Sequence, residues 1–152
     1  VKDTSNLLTH DQWSCTEYTL STTGFLGGIG TRRESTNTWS KIGESSLKAT
    51  KLGSTQTGFR VEYHGTLTGI VTGKLTVLSN SNKNTTIILY STNSNGEIVD
   101  STLLDVISPN IPVTVSLNIP ANNTATTYAI NITNYGDIGC LTFVDDISLS
   151  VS

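Results

Sequence analysis

The apolar positions of this chain recur mostly at every second residue. From 113 to 119, Val113, Val115, Leu117 and Ile119 alternate with Thr114, Ser116 and Asn118. A period of two sends successive side chains to opposite faces of an extended chain, so this segment reads as a strand with one face buried and one wet. Residues 59–64 repeat the pattern, with Phe59, Val61 and Tyr63 inward and Arg60, Glu62 and His64 outward. Residues 128–133 do so again, with Tyr128, Ile130 and Ile132 toward the core. Further strands are expected at 46–51, 67–72, 74–79, 86–91, 98–106 and 141–151. Between them lie clusters of Asn, Gly and Pro, such as Asn93-Ser-Asn-Gly96 and Ser108-Pro-Asn-Ile-Pro112. Asn and Gly tolerate the positive φ of tight turns and Pro fixes its own. About nine antiparallel strands punctuated in this way predict an all-β sandwich. One stretch breaks the rhythm. Residues 22–43, with the glycine-rich run Gly24–Gly30 followed by Thr31-Arg-Arg-Glu-Ser-Thr-Asn37, have no clear period and read as a long connection. Long loops inside compact domains are often functional.

Composition strengthens the all-β reading. Thr (26), Ser (18) and Asn (13) make up more than a third of the 152 residues, Ala occurs 4 times and Met never. The residues that favour helices are scarce while the β-branched ones are common, which excludes a helical bundle. No internal repeat or linker divides the chain, so residues 1–152 are expected to form a single domain. A net charge of −3 with a pI near 5.2 offers no electrostatic footprint for nucleic acid. No apolar run approaches the length of a membrane-spanning helix, so no membrane insertion is expected. The chain opens on Val1-Lys2-Asp3 without a start Met or signal pattern, and is expected to be a domain excised from a larger protein. Its hydroxyl- and amide-rich skin suits an extracellular or cell-surface setting. Cys15 and Cys140 are either two buried thiols or a disulfide closing a loop of roughly 125 residues. Three sequons, at Asn84, Asn122 and Asn131, carry little weight in a chain so rich in Asn and Thr.

Catalytic patterns are weak. The Gly24–Gly30 run lacks the strand and helix that frame a phosphate-binding loop. No serine sits in a nucleophile elbow, and only His10 and His64 offer an imidazole. The acids have ordinary places on solvent faces or in turns, so no enzyme is expected. The last strand is more informative. Asp145 and Asp146 stand side by side within an apolar alternating segment, so at least one faces the core side. A carboxylate there needs backbone donors or a metal ion.

Three blocks now fall into an order. Asn6-Leu-Leu8 lies near the start, Gly43-Glu-Ser-Ser-Leu-Lys-Ala-Thr50 in the first third, and Phe143-Val-Asp-Asp-Ile-Ser-Leu149 near the end. Gly73-Lys-Leu-Thr-Val-Leu78 and the Pro-ending strand Val113–Pro120 fall between the second and third. This set resembles the carbohydrate-binding modules of families 4, 9 and 22. The resemblance implies a galactose-binding-like jelly roll in which the first and last strands lie together and one concave sheet faces the ligand. It implies a structural Ca2+ site as well, to which Asp145 matches. The family's second calcium carboxylate has no Glu at its place here, where Thr9-His-Asp-Gln-Trp13 stands, and Asp11 is its substitute.

Sugar binding takes an exposed ring to stack on the apolar face of a pyranose, and planar polar groups for its hydroxyls. Phe59, Tyr63, Tyr128 and Phe143 share the phase of core residues, and Trp13 is expected to join them. Trp39, Tyr90 and Tyr135 are left as platforms. Arg60, Glu62 and His64 form an outward stripe, and Arg32 and Arg33 stand in the long connection. The expected function is non-catalytic binding of an oligo- or polysaccharide by a monomeric module that targets or anchors further domains of its parent protein. The rival is a structural or adhesive sandwich of a surface or phage-tail protein with no sugar site. An exposed aromatic strip on the concave sheet favours the first; a sheet covered only by Thr, Ser and Asn favours the second.

Overall fold

The computed structural model describes residues 6–8, 31–36, 46–51 and 57–152. Among these, nine strands build two antiparallel sheets: β1 (Thr31–Thr36), β2 (Ser46–Lys51), β3 (Thr57–His64), β4 (Ile70–Ser79), β5 (Thr85–Asn93), β6 (Ile98–Val106), β7 (Val113–Pro120), β8 (Ala125–Asn134) and β9 (Leu141–Val151). The five-stranded sheet runs β1-β2-β9-β4-β7 and the four-stranded sheet β3-β8-β5-β6. Only β1–β2 and β5–β6 are sequence neighbours paired within one sheet; every other connection crosses between layers. The all-β sandwich is thus the observed class, and its inward faces meet in a core that includes Val61, Val71, Leu75, Ile87, Leu89, Tyr128, Ile130, Ile132 and Val144. Tyr128 is buried in the core as its phase predicts, and Tyr63 packs on the core half-buried. Phe143 is buried too, but on the face of β9 opposite to Val144 and outside that core, which corrects its expected phase.

Two expectations about strands are corrected. Residues 31–36 are not part of a connection but form β1, whose register sets Arg32 opposite Thr50 and Arg33 opposite Ala49. Thr-Arg-Arg-Glu-Ser-Thr carries no apolar alternation; its place among the described strands follows from backbone pairing with β2. Segments 67–72 and 74–79 are not two strands, since β4 runs unbroken from Ile70 to Ser79. Gly73 reads as a break in sequence, yet it is a point of close approach: a Cβ there would lie 3.0 Å from Ile130 Cδ1.

The blocks near the two ends of the chain meet in space. Leu7 N donates to Leu149 O at 2.8 Å. The buried Asn6 carboxamide donates through Nδ2 to Ile147 O (3.1 Å) and accepts through Oδ1 from Leu149 N (3.1 Å) and Leu8 N (3.1 Å). Leu8 then enters the core. The Asp pair sits where β9 shifts register against β4: Lys74 pairs with Ser148 but Thr76 with Asp145, so two residues of β9 face one of β4. Asp146, with φ 54°, takes up the bulge, which moves the buried phase from Thr142 and Val144 to Ile147 and Leu149.

At one end of the sandwich, three turns are stitched together by a buried polar knot. Asn134 is fully buried; its Nδ2 donates to Ser79 Oγ (3.0 Å) and Thr142 Oγ1 (2.6 Å), and its Oδ1 accepts from Gly136 N (2.8 Å). Tyr135 N donates to Asn84 O (3.0 Å), and Asn110 N to Ser79 O (2.7 Å). These bonds tie the end of β8 to the ends of β4 and β9 in the other sheet and to the turn before β5.

Candidate functional site

The outward face of the four-stranded sheet is ordered by its registers. Arg60 pairs with Asn131, which pairs with Ile88, which pairs with Leu103. The next outward row runs Glu62, Ala129, Tyr90 and Ser101. A third sets His64 beside Thr127 and Thr92, then reaches Ile98 across a bulge. Over these rows lies an open groove of about 520 Å³ lined by Arg60, Glu62 and Tyr90 together with their neighbours on β5, β6 and β8. That size falls within the range of small-ligand sites.

The β3 stripe forms a charged arm along one side. Glu62 sits between two partners, with Oε1 3.2 Å from Arg60 Nε and Oε2 3.1 Å from His64 Nε2. His64 Nδ1 stands 3.2 Å from Thr127 Oγ1. The Glu62 side chain is 19% exposed, against 43% for Arg60 and 72% for His64. The inner carboxylate therefore orders two outer groups that reach into water. Such an array presents planar donors and acceptors at fixed spacing, which is what a ring of hydroxyls takes. Tyr90 lies two strands away on the same face, half-buried, its ring the aromatic surface of the groove.

The structure gathers three of the residues singled out from sequence, Arg60, Glu62 and Tyr90, in one groove, with His64 at its margin. It sets others apart. Tyr135, 41% exposed, lies in the turn after β8 beside the Asn134 knot and does not line the groove. Arg32 and Arg33 belong to β1, the outermost described strand of the other sheet. Asp145 is fully buried on β9. Trp39, Asp11, Trp13 and Cys15 lie outside the described residues, while Cys140 is buried just before β9. No group of three His, Cys, Asp or Glu is placed to hold a metal ion among the described residues. No helix among them is long and apolar enough to cross a membrane.

Sequence reasoning missed the groove's remaining chemistry. Thr127 and Asn131 are the outward complement of Tyr128, Ile130 and Ile132, so the alternation of β8 already held them. Ile88 and Leu103 were hidden for a different reason: each follows or precedes another aliphatic residue, and apolar side chains in both phases look like a fully buried strand.

No protein-family model matches this chain, and no curated protein does. Solved structures do match. A stretch of the enzymatically active domain of bacteriophage CBA120 tailspike protein 4 superposes with a TM-score of 0.72 at 13% identity, covering 97% of this chain and 22% of that one. This chain thus spans about a fifth of the tailspike domain's length. The CBM22-1 xylan-binding domain of Paenibacillus barcinonensis Xyn10C matches at 0.65 and 14% identity, over 91% of this chain and 90% of that one. The C-terminal family 22 carbohydrate-binding module of Clostridium thermocellum Xyn10B matches at 0.67 and 12%, over 98% and 95%. At such identities the likeness is one of fold. The chain has the jelly-roll β-sandwich found in carbohydrate-binding modules, as the ordered blocks implied.

Proposed function

We propose that this protein is a non-catalytic carbohydrate-binding module that holds an oligo- or polysaccharide in the groove across β3, β8, β5 and β6. The carrying observation is the placement of the Tyr90 ring on the same face as the Arg60–Glu62–His64 arm. One sugar ring stacks on Tyr90 while neighbouring hydroxyls exchange water for the arm and for Thr127 and Asn131. Aromatic stacking of this kind gives weak binding, on the order of micromolar to millimolar. Among the groove's described lining residues Glu62 is the lone carboxylate, whereas glycoside hydrolysis ordinarily works with a pair. Trp39 is a second platform in this reading. The role of such a module is to target or anchor a larger extracellular protein.

The test is retention on affinity gels cast with a broad panel of polysaccharides. The expected result is retardation on at least one gel, lost in Tyr90→Ala with a melting temperature close to that of the parent. Trp39→Ala weakens retention likewise if its ring stacks. Failure to bind any glycan of the panel, or full retention by Tyr90→Ala, overturns the reading. A structural Ca2+ held by Asp145 and Asp11 is part of the same proposal. It predicts a melting temperature that rises with added calcium and falls with chelator, since an ion that binds only the folded state stabilises it.

A second reading, a structural or adhesive module, is supported by the likeness to part of a phage tailspike and by Tyr90 being the one aromatic among the groove's described lining residues. It predicts no glycan retention at all.

A further inference from the structure

The groove is divided along its length into two unlike walls. On β3 and β8 the side chains are hydrogen-bonding ones: Arg60, Glu62, Thr127 and Asn131. On β5 and β6 the aliphatic Ile88, Leu103 and Ile98 line it, together with the Tyr90 ring and the hydroxyls of Thr92 and Ser101. Leu103 is 55% exposed and Ile98 65%. Single exposed aliphatic residues are ordinary on protein surfaces. Here Ile88 and Leu103 are neighbours in one row and Ile98 stands beyond the Tyr90–Ser101 row, all facing the same open space as the polar arm. The row Arg60, Asn131, Ile88, Leu103 passes from charge to hydrocarbon.

Branched aliphatic side chains lack the flat π-face that stacks on a sugar ring. A hydroxyl pressed against them gives up a water partner and gains none. A methyl group pressed against them is removed from water at a gain. The polar wall meanwhile carries one cation and one anion in contact, Arg60 and Glu62, and so favours a neutral ligand over an acidic one.

We infer that the groove selects neutral glycans bearing methyl groups on the edge turned toward β6, with hydroxyls turned toward β3 and β8. This rests on the sugar-binding reading and names its ligand class. Two kinds of glycan carry such methyls: O-acetyl esters, which mild alkali removes, and 6-deoxy sugars, which resist it.

The experiment titrates the full chain with two matched pairs. The first is a neutral O-acetylated polysaccharide before and after mild alkaline deacetylation; the second is a hexose oligosaccharide and its 6-deoxy counterpart. The expected result is tighter binding of the methyl-bearing member in at least one pair, by roughly three- to fivefold for each methyl buried. The pair that shows it identifies the source. Leu103→Asn and Ile98→Asn, both at exposed positions, are expected to erase that preference. Equal binding within both pairs by the parent protein, or an undiminished preference in both variants, overturns the inference and leaves sugar binding standing. Absence of binding to either pair and to the whole polysaccharide panel overturns both together.

Discussion

The chain builds two polar clusters that behave as opposites. Around Asn134 a fully buried carboxamide spends three hydrogen bonds on Ser79, Thr142 and Gly136, with nothing turned to water. Around Glu62 the partners Arg60 and His64 keep 43% and 72% of their side-chain surface exposed. The first cluster has internal partners in place of solvent, so removing one member strands the others. The second keeps its solvent, so its ion pairs add little to stability and its outer atoms stay available. Abundant Thr, Ser and Asn thus divide into a part that holds the sandwich shut and a part that faces a ligand.

Substitutions can break this contrast, the largest effect first. Asn134→Ala leaves buried hydroxyls and the Gly136 amide without their partner, at a cost of about 2–4 kcal/mol in urea unfolding. Glycan affinity of the fraction still folded is expected to stay the same. An equal loss of affinity would mean that the knot shapes the groove as well as the fold. Glu62→Gln is the mirror experiment. Stability is expected to change by less than about 1 kcal/mol, because partly exposed ion pairs are screened by solvent. Affinity falls roughly tenfold once the two outer groups lose the charge that orders them. A large drop in melting temperature with unchanged affinity would reverse the assignment of the two clusters. Tyr135→Ala is the smallest perturbation, expected to shift stability by no more than about 0.5 kcal/mol and affinity not at all. A loss of retention on gels would extend the binding surface to the turn beside the knot.

Strand phases were legible because one face of most strands is buried and one is wet, and β3, β7 and β8 show this plainly. β1 was not legible, since a run of Thr, Arg, Glu and Ser without apolar alternation is placed by backbone pairing with β2. Gly73 misled for a related reason: a missing side chain reads as a turn, although here it admits Ile130 from the opposite sheet. The Asp145–Asp146 pair gave a true signal of irregularity, and its geometry, a bulge with positive φ at Asp146, needed the pairing partner β4 to become visible. The groove was half legible. Arg60, Glu62 and His64 announce themselves by alternation on one strand. That Tyr90 shares their face depends on β8 lying between β3 and β5, a pairing across the chain that no local pattern encodes.

The position of β9 has a consequence for how the molecule is made. It lies at the centre of the five-stranded sheet, between β2 and β4, and it is the strand to which Asn6 and Leu7 are bound. During synthesis the earlier members of that sheet leave the ribosome as two unjoined halves, β1 with β2 and β4 with β7. The keystone arrives after both. Until residues 141–151 are released, the nascent chain has unpaired strand edges on each side of an empty slot, which is where chaperones would act.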